Sequence, residues 1–269
     1  MSDAMESNAI LEVKGLFAGY KEKLVLENVD LTIERGKIYS IIGPNGCGKT
    51  TLLRTMSRSL KPIKGKILLD GQDVFRTNTK KVARKMAILS QANNVMGDVT
   101  VKRLVSYGRY AHKEWWQSGS EEDTRIVEWA IRRTNLAGYE ERKLGTLSGG
   151  ERQRAWIAMS LAQKPEVLLL DEPTTYLDIS HQLEVMELVA SLNREEGITI
   201  LMVLHDLGQA ARYSDEMIVV SDRGIYKKGD PWEVLSENVL SDVFRIEAEV
   251  TRDEETGKPI FYAKKVKGG

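Results

Sequence analysis

The sequence predicts an α/β protein with a mixed, mainly parallel sheet core, an antiparallel β layer and an inserted helical lobe. Three observations support this prediction. Short apolar runs without alternation stand between segments of helical periodicity, which is typical of parallel strands buried on both faces. A segment near the N-terminus shows partial alternation of apolar and polar residues, which favours antiparallel strands with one wet face. Residues from about 92 to 164 show helical periodicity and no convincing strand.

Each part of the sheets is predicted from its own stretch of sequence. Partial alternation over residues 10–34 predicts the antiparallel layer, and GKILLDGQDV (65–74) extends it with an Asp-Gly turn between two apolar stretches. The buried core strands are predicted at KIYSII (37–42), MAILSQ (86–91), VLLLDE (167–172), ITILMVLH (198–205) and MIVVS (217–221).

Three further segments have distinct patterns. HQLEVMELVASLNREEG (181–197) predicts a helix that ends at Gly197. Residues 246–266 predict a hairpin with a polar turn, and the basic cluster KKVARK (80–85) indicates a solvated helix face. One stripe along the helix predicted over 181–197 contains Leu183, Met186, Ala190 and Asn193.

Composition limits the class of protein. With 42% hydrophobic and 29% charged residues, the chain has the composition of a soluble globular protein. The 39 basic and 39 acidic side chains cancel, so no basic field indicates a nucleic-acid partner. The first residues lack the features of a signal peptide, and no apolar run approaches the roughly 18–20 residues of a membrane span. Cys47 is the single cysteine, which excludes an intrachain disulfide and fits a reducing compartment.

The segment GPNGCGKTT (43–51) predicts a phosphate-binding loop. It follows a predicted buried strand and precedes LLRTMSRSL, in which apolar residues recur at helical spacing. Glycines let the backbone turn tightly, and the N-terminus of a helix directs free N–H groups at an anion. We expect Lys49 to reach the β- and γ-phosphates of a nucleotide and the Thr50 hydroxyl to ligate Mg²⁺.

Two acidic residues end another buried strand, in VLLLDEP (167–173). We expect Asp171 to hold Mg²⁺ through water, because this ion prefers oxygen ligands. Glu172 follows directly, and a carboxylate at this place can polarise the water that attacks a γ-phosphate. The pair therefore favours hydrolysis of the bound nucleotide.

A second glycine turn stands in LSGGERQRAWIAMSLA (147–162), directly before a long helical pattern. A Ser-Gly-Gly turn at the N-terminus of a helix offers N–H groups and a hydroxyl to an anion. One γ-phosphate does not need two separate glycine cradles in one chain. We therefore expect the second cradle to serve the nucleotide of another subunit.

Together these motifs resemble those of the ATP-binding cassette (ABC) ATPases, and the resemblance covers nearly the whole chain. GPNGCGKT is similar to the Walker A motif of this family, LLLDE to Walker B with its glutamate, and LSGGERQR to the family signature, the most specific of the three. Four single positions are also similar to family positions: Gln91 to the Q-loop glutamine, Asp178 to the D-loop aspartate, His205 to the switch histidine and Tyr20 to the aromatic residue that stacks on adenine.

The resemblance implies a role for each of these residues. Two cassettes are expected to stack head to tail around two ATP molecules, so that Walker A of one faces the signature of the other. Catalysis is then expected from Glu172, His205, Lys49 and Gln91. Mg²⁺ is expected at Thr50, Gln91 and Asp171, and the ATP of the partner at Ser148, Gly149, Gly150 and Glu151. The chain's own ATP is expected at Tyr20, Gly43, Pro44, Asn45, Gly46, Cys47, Gly48, Lys49, Thr50 and Thr51.

The resemblance also implies a domain organisation and partners. An ABC ATPase domain is expected over 9–250, with the RecA-like core and antiparallel β layer at 9–91 and 165–245, the helical lobe at about 92–164, and a C-terminal hairpin at 246–266. With one cassette and no spanning segment, the chain is expected to drive separate integral-membrane permease subunits through its helical lobe. It would lie at the cytoplasmic face of the membrane as a peripheral protein.

One fragment of the helical lobe and the closing hairpin resemble those of a particular group of importers. YGRYAH (107–112) and the closing hairpin resemble cassettes of importers for ferric siderophores, haem and cobalamin, which also use an extracytoplasmic substrate-binding protein. Trp115 and Trp116 either line the groove that receives the permease or pack inside the lobe. Two alternatives stay open: an exporter cassette, and a soluble ABC ATPase acting on DNA or ribosomes. The second class usually carries coiled-coil insertions, zinc-binding cysteines or tandem cassettes, and the sequence contains none of these.

Overall fold

The structure is a computed structural model that describes residues 8–21, 23–90, 97–113 and 120–267. The strands are β1 (Ala9–Tyr20), β2 (Lys23–Glu34), β3 (Ile38–Ile42), β4 (Lys64–Leu69), β5 (Gln72–Asp73), β6 (Met86–Leu89), β7 (Val167–Asp171), β8 (Thr199–Val203), β9 (Glu216–Ser221), β10 (Gly224–Gly229), β11 (Ile246–Arg252) and β12 (Pro259–Val266). The helices are α1 (Lys49–Met56), α2 (Thr79–Lys85), α3 (Val101–Tyr107), α4 (Glu121–Arg133), α5 (Gly149–Leu161), α6 (Ile179–Glu196), α7 (Leu207–Tyr213), α8 (Pro231–Val234) and α9 (Glu237–Asp242).

The central sheet has six strands in the order β10-β9-β3-β8-β7-β6. All neighbours pair in parallel except β10, which joins β9 as an antiparallel edge strand. Every residue of β3, β7 and β8 is buried, which confirms the prediction from their continuous apolar runs. Because parallel strands end at the same edge, the segments that follow β3, β7 and β8 meet there.

The antiparallel layer has the order β2-β1-β4-β5, as the alternation over 10–34 predicted. The turn between β4 and β5 is the expected Asp-Gly pair, with φ of 51° at Asp70 and 70° at Gly71. Helix α1 lies between this layer and the central sheet, where its Leu52 and Leu53 are fully buried among side chains of both. The β layer therefore holds the first helix after the glycine loop.

Among the described residues between β6 and β7, the regular elements are all helices, and one isolated bridge joins Thr100 and Lys143. Arg109, from the YGRYAH fragment, lies in a short 3₁₀ helix (Gly108–Ala111) and connects it to α4 and to the end of α5. Its Nε donates to Asp123 at the start of α4 at 2.7 Å, and its Nη1 donates to the Ala162 carbonyl after α5 at 2.8 Å. Trp115 and Trp116 lie outside the described residues, so their two alternative placements stay open.

Helix α6 begins at Ile179 and ends before Gly197, whose φ of 69° terminates it as predicted. Only part of the stripe named from its sequence faces the core: Met186 is buried and Ala190 packs against the core, whereas Leu183 is 42% exposed. Apolar side chains surround more than half of this helix, so several stripes have helical spacing, and contact with the core selects another one. The buried residues are Val185, Met186, Leu188, Val189 and Leu192.

Strands β11 and β12 form the predicted C-terminal hairpin. Two hydrogen bonds connect its turn to the rest of the chain: Trp232 Nε1 donates to the Gly257 carbonyl at 3.1 Å, and Lys258 Nζ donates to the Ser214 carbonyl at 2.7 Å. Within the part of the chain that the structure describes, no helix has both the length and the apolar character needed to cross a membrane.

Candidate nucleotide site

The loop between β3 and α1 has a backbone that requires glycine at two positions. Gly43 has φ 147°, and a Cβ there would lie 2.2 Å from the Val220 carbonyl oxygen. Gly48 has φ 114°, and a Cβ there would lie 2.8 Å from the Leu26 side chain. A side chain at either position would meet both backbone strain and a steric clash. The loop can therefore turn tightly just before α1, whose first N–H groups are then available to an anion.

Lys49 is the first residue of α1, and its side chain reaches back to this loop. Its side chain is buried, and Nζ donates to the carbonyls of Gly43 at 2.8 Å and Pro44 at 3.0 Å. These bonds fix the ammonium above the first turn of α1, within reach of phosphates that the loop would cradle.

Thr50 and Asp171 bring two oxygen atoms together from α1 and the end of β7. The Thr50 hydroxyl donates to Asp171 Oδ1 at 3.2 Å. Asp171 is 2% exposed, and burial raises the pKa of its carboxyl group while the hydrogen bond from Thr50 opposes that shift. Among the described residues no basic side chain forms an ion pair with it. A buried carboxylate beside a hydroxyl is a donor set that fits Mg²⁺.

Glu172 and His205 follow the neighbouring strands β7 and β8. His205 Nε2 lies 2.5 Å from Glu172 Oε1, and the Thr175 hydroxyl donates to Glu172 Oε2 at 3.1 Å. Glu172 has φ 54°, a backbone conformation that non-glycine residues rarely adopt, and its N–H donates to the Val203 carbonyl at 3.2 Å. The carboxylate is therefore held in a defined position between two polar side chains.

Lys49, Thr50, Glu172 and His205 border one open cleft of about 1540 Å³. Tyr20, at the end of β1, is 41% exposed and lines it together with Glu172 and His205. Two stretches without a recognisable motif also line the cleft, Ser221–Arg223 and Asp242–Arg245, and no sequence signal could have identified them. The loop residues that line it are Pro44, Asn45, Gly46, Cys47, Gly48, Lys49, Thr50 and Thr51.

The second glycine turn does not line that cleft. It forms the start of α5, where Glu151 N–H donates to Ser148 Oγ at 3.2 Å and Ser148 N–H donates to Glu151 Oε2 at 2.7 Å. The bond from the Ser148 N–H is the main cause of a lowered pKa for Glu151. Ser148 and Gly149 are exposed, so this helix N-terminus faces solvent in the single chain.

Asp178 caps the neighbouring helix α6 and also lies away from the cleft. It accepts hydrogen bonds from the His181 N–H at 3.0 Å, His181 Nδ1 at 2.8 Å and the Ser180 hydroxyl at 2.9 Å. These bonds, the His181 N–H first, lower the pKa of Asp178 to about 2. His181 in turn lies against Gly150, where a Cβ would come within 2.2 Å of its ring. Gln91 lies outside the described residues.

Known proteins resemble this chain along most of its length. Residues 26–175 match the ABC transporter family. The chain is 47% identical over 250 residues to the iron(3+)-hydroxamate import ATP-binding protein FhuC of Bacillus subtilis, covering 93% of each chain. It is 48% identical over 262 residues to the petrobactin import ATP-binding protein FpuC of Bacillus anthracis, covering 97% of this chain and 96% of that protein.

A solved structure supports the same assignment. The ATP-binding cassette MJ0796, in a dimeric post-hydrolysis state bound to ADP and Pi, superposes with a TM-score of 0.71. It is 28% identical, over 82% of this chain and 98% of that chain. Family match, relatives and fold agree, and this chain belongs to the ABC transporter family as an ATP-binding cassette.

Proposed function

We propose that this chain is the ATP-hydrolysing subunit of an ABC importer for iron-siderophore cargo. The observation that carries the hydrolytic part is the placement of Glu172 and His205 in the same cleft as the Lys49 loop. A base, a cationic phosphate anchor and a glycine cradle then face one nucleotide. The cargo is proposed from the relatives, which are named import proteins for iron(3+)-hydroxamate and petrobactin.

In the proposed reaction, water attacks the γ-phosphorus and the bond to the β,γ-bridging oxygen breaks. Glu172 orients the water and takes its proton, while ADP leaves with the bridging oxygen. Lys49 and His205 stabilise the charge on the transferred phosphoryl group. Thr50 and Asp171 would hold Mg²⁺, which supplies positive charge to the phosphate oxygens when bound. Gln91 would complete that site.

Glu172 must exchange partners before it can act as this base. Both of its carboxylate oxygens are engaged, Oε1 by His205 and Oε2 by Thr175. If His205 turns towards the γ-phosphate, its contact with Oε1 is broken and the attacking water can take its place. The contact between the two side chains therefore connects phosphate binding to activation of the base.

A complete site is proposed to need two chains. Ser148, Gly149 and Glu151 stand at an accessible helix N-terminus outside the cleft, where they suit the γ-phosphate held by another cassette. The cassette MJ0796, which is dimeric in a state bound to ADP and Pi, is similar to this chain and supports a dimer of this chain. Asp178 lies beside this turn through His181 and would face the second copy.

The importer would place this chain at the cytoplasmic face of a membrane. Integral-membrane permease subunits would bind the helical segment between β6 and β7, and an extracytoplasmic binding protein would deliver the cargo. Affinity purification of the tagged chain from solubilised membranes tests this part. Recovery of a polytopic permease is expected, whereas recovery with ribosomes or DNA would favour the soluble class of ABC ATPase.

The hydrolytic part is tested with Glu172→Gln. Loss of the base is expected to lower the ATPase rate about 10²- to 10⁴-fold and to leave ATP binding intact, because the loop is unchanged. The variant should then accumulate as an ATP-dependent dimer in size-exclusion chromatography with light scattering. Glu254→Gln, at an exposed position in the C-terminal turn, is the matched control and should behave like the parent chain. A Glu172→Gln chain that stays monomeric at saturating ATP and Mg²⁺ would contradict the two-chain site.

A further inference from the structure

The segment that follows helix α9 forms one wall of the nucleotide cleft. Asp242, Val243, Phe244 and Arg245 line the same cleft as Tyr20 and the glycine loop, although they lie far from both in the sequence. We propose that Arg245 contacts the bound nucleotide from this wall and strengthens ATP binding. The proposal rests on the ATP-binding function proposed above and adds a contact to it.

The first support is that the side chain of Arg245 has no partner among the described residues. Within the residues that the structure describes, its guanidinium makes no hydrogen bond and no ion pair. The nearby carboxylate of Asp242 does not neutralise it, since Lys267 Nζ lies 3.3 Å from one Asp242 oxygen and the Tyr226 hydroxyl 3.5 Å from the other. A guanidinium has five N–H donors and no acceptor, and a nucleotide offers anionic and neutral oxygen acceptors.

Other cations at the cleft differ from Arg245. Lys49 is held by two loop carbonyls, and Arg223 lies 3.9 Å from Glu27. Lys23 also makes no ion pair among the described residues, but it neighbours Glu22, which lies outside them. Arg245 is therefore the cation of this cleft whose side chain has neither a partner among the described residues nor a directly adjacent acidic residue outside them.

The second support is the backbone at this position. Arg245 has φ 57°, in the left-handed region that favours glycine, and its carbonyl accepts a hydrogen bond from the Lys267 N–H at 2.7 Å. Phe244, just before it, packs against the main hydrophobic core. Strained positions that the surrounding structure holds in place cluster at ligand sites. A glycine would relieve the strain, whereas an arginine keeps a long cationic side chain at the cleft.

The test uses the purified full chain with Arg245→Ala. Alanine keeps a Cβ, so the strain at φ 57° is similar in both chains and the comparison reports the loss of the guanidinium. We expect the KM for ATP to rise about 3- to 10-fold with kcat within about twofold, as for one lost charge-assisted hydrogen bond at an open site. Arg245→Lys should recover part of the loss, and the difference between Arg245→Ala and the parent chain should shrink at high salt.

Two further measurements make the result decisive. Arg125→Ala removes an exposed arginine of α4 that makes no ion pair within the described residues, and it should leave the KM unchanged. Direct binding of AMP and ATP then locates the contact: a larger loss for ATP indicates oxygens of the β- or γ-phosphate, and equal losses indicate the adenosine or the α-phosphate. Parent and Arg245→Ala chains with the same KM and the same affinities would overturn the inference. A parent chain without any ATPase activity would instead overturn the proposed function.

Discussion

The two glycine turns of this molecule both precede a helix, yet they differ in what surrounds them. The loop at 43–51 depends on left-handed glycines, buries its lysine and opens into a large cleft. The turn at 148–151 has no left-handed glycine, is closed by a Ser148–Glu151 capping box and faces solvent. The first turn is shaped to surround a ligand, and the second is shaped to present a helix N-terminus to one. This difference is what the proposed two-chain site requires, in which one chain holds the nucleotide and another chain completes the site.

The largest expected effect is at the first turn. Lys49→Ala removes the ammonium at the centre of the loop and should lower the ATPase rate about 10²- to 10³-fold, since preorganised charge on the phosphates is lost. ATP affinity should fall in the same variant, which equilibrium binding checks. Lys66→Ala, an exposed lysine of β4, is the control. If Lys49→Ala kept normal affinity and rate, the loop would not be the phosphate site.

A substitution at the second turn should separate binding from hydrolysis. Ser148→Arg places a bulky cation at the exposed N-terminus of α5 and should lower the ATPase rate about 10²-fold by blocking the contact with a partner's γ-phosphate. ATP binding by the single chain should stay normal, because Ser148 does not line the cleft. Reduced ATP affinity in the monomer would show that the two turns act on the same nucleotide within one chain.

Alanine substitutions distinguish the reasons for glycine in the two turns. Gly150→Ala should destabilise the fold by about 1–3 kcal/mol, because its Cβ would lie 2.2 Å from the His181 ring. Gly46→Ala meets no atom within 4 Å, but it has φ 77° and should cost about 1–2 kcal/mol through backbone strain alone. His181→Ala should rescue Gly150→Ala and leave Gly46→Ala unchanged in denaturant unfolding. Equal rescue of both would contradict this distinction.

The smallest expected effect concerns pH at the cap beside the second turn. The hydrogen bonds from His181 and Ser180 lower the pKa of Asp178 from its ordinary value of 3.8 to about 2. The ionised carboxylate therefore stabilises the fold above about pH 4, and this contribution is lost as the pH falls from about 4 to about 2. Asp178→Asn should show a smaller loss of stability over that interval. Parallel unfolding curves of the two chains against pH would contradict the assignment.

Much of this architecture could be predicted because its signals are local. The glycine loop, the acidic end of β7 and the Asp-Gly turn each depend on neighbouring residues, and the structure has them at the predicted places. The buried face of α6 could not be chosen from the sequence, because contact with the core selects among several apolar faces of that helix. Arg245 was missed because only the packing of α9 and the final hairpin brings it to the cleft. The functional roles of the site residues remain predictions.

The central claim is that the glycine loop at 43–51 of one chain and the turn at 148–151 of another chain bind the same ATP. A complementation experiment tests this claim directly. In a Glu172→Gln background, one chain carries Lys49→Ala and the other carries Ser148→Arg. A dimer of two identical variant chains has no site in which both the glycine loop and the second turn are intact. A mixed pair has one such site, formed by the loop of the second chain and the turn of the first. The account predicts that each chain stays monomeric with ATP and that the mixture forms a heterodimer in size-exclusion chromatography with light scattering. A mixture as monomeric as its components would contradict the two-chain site.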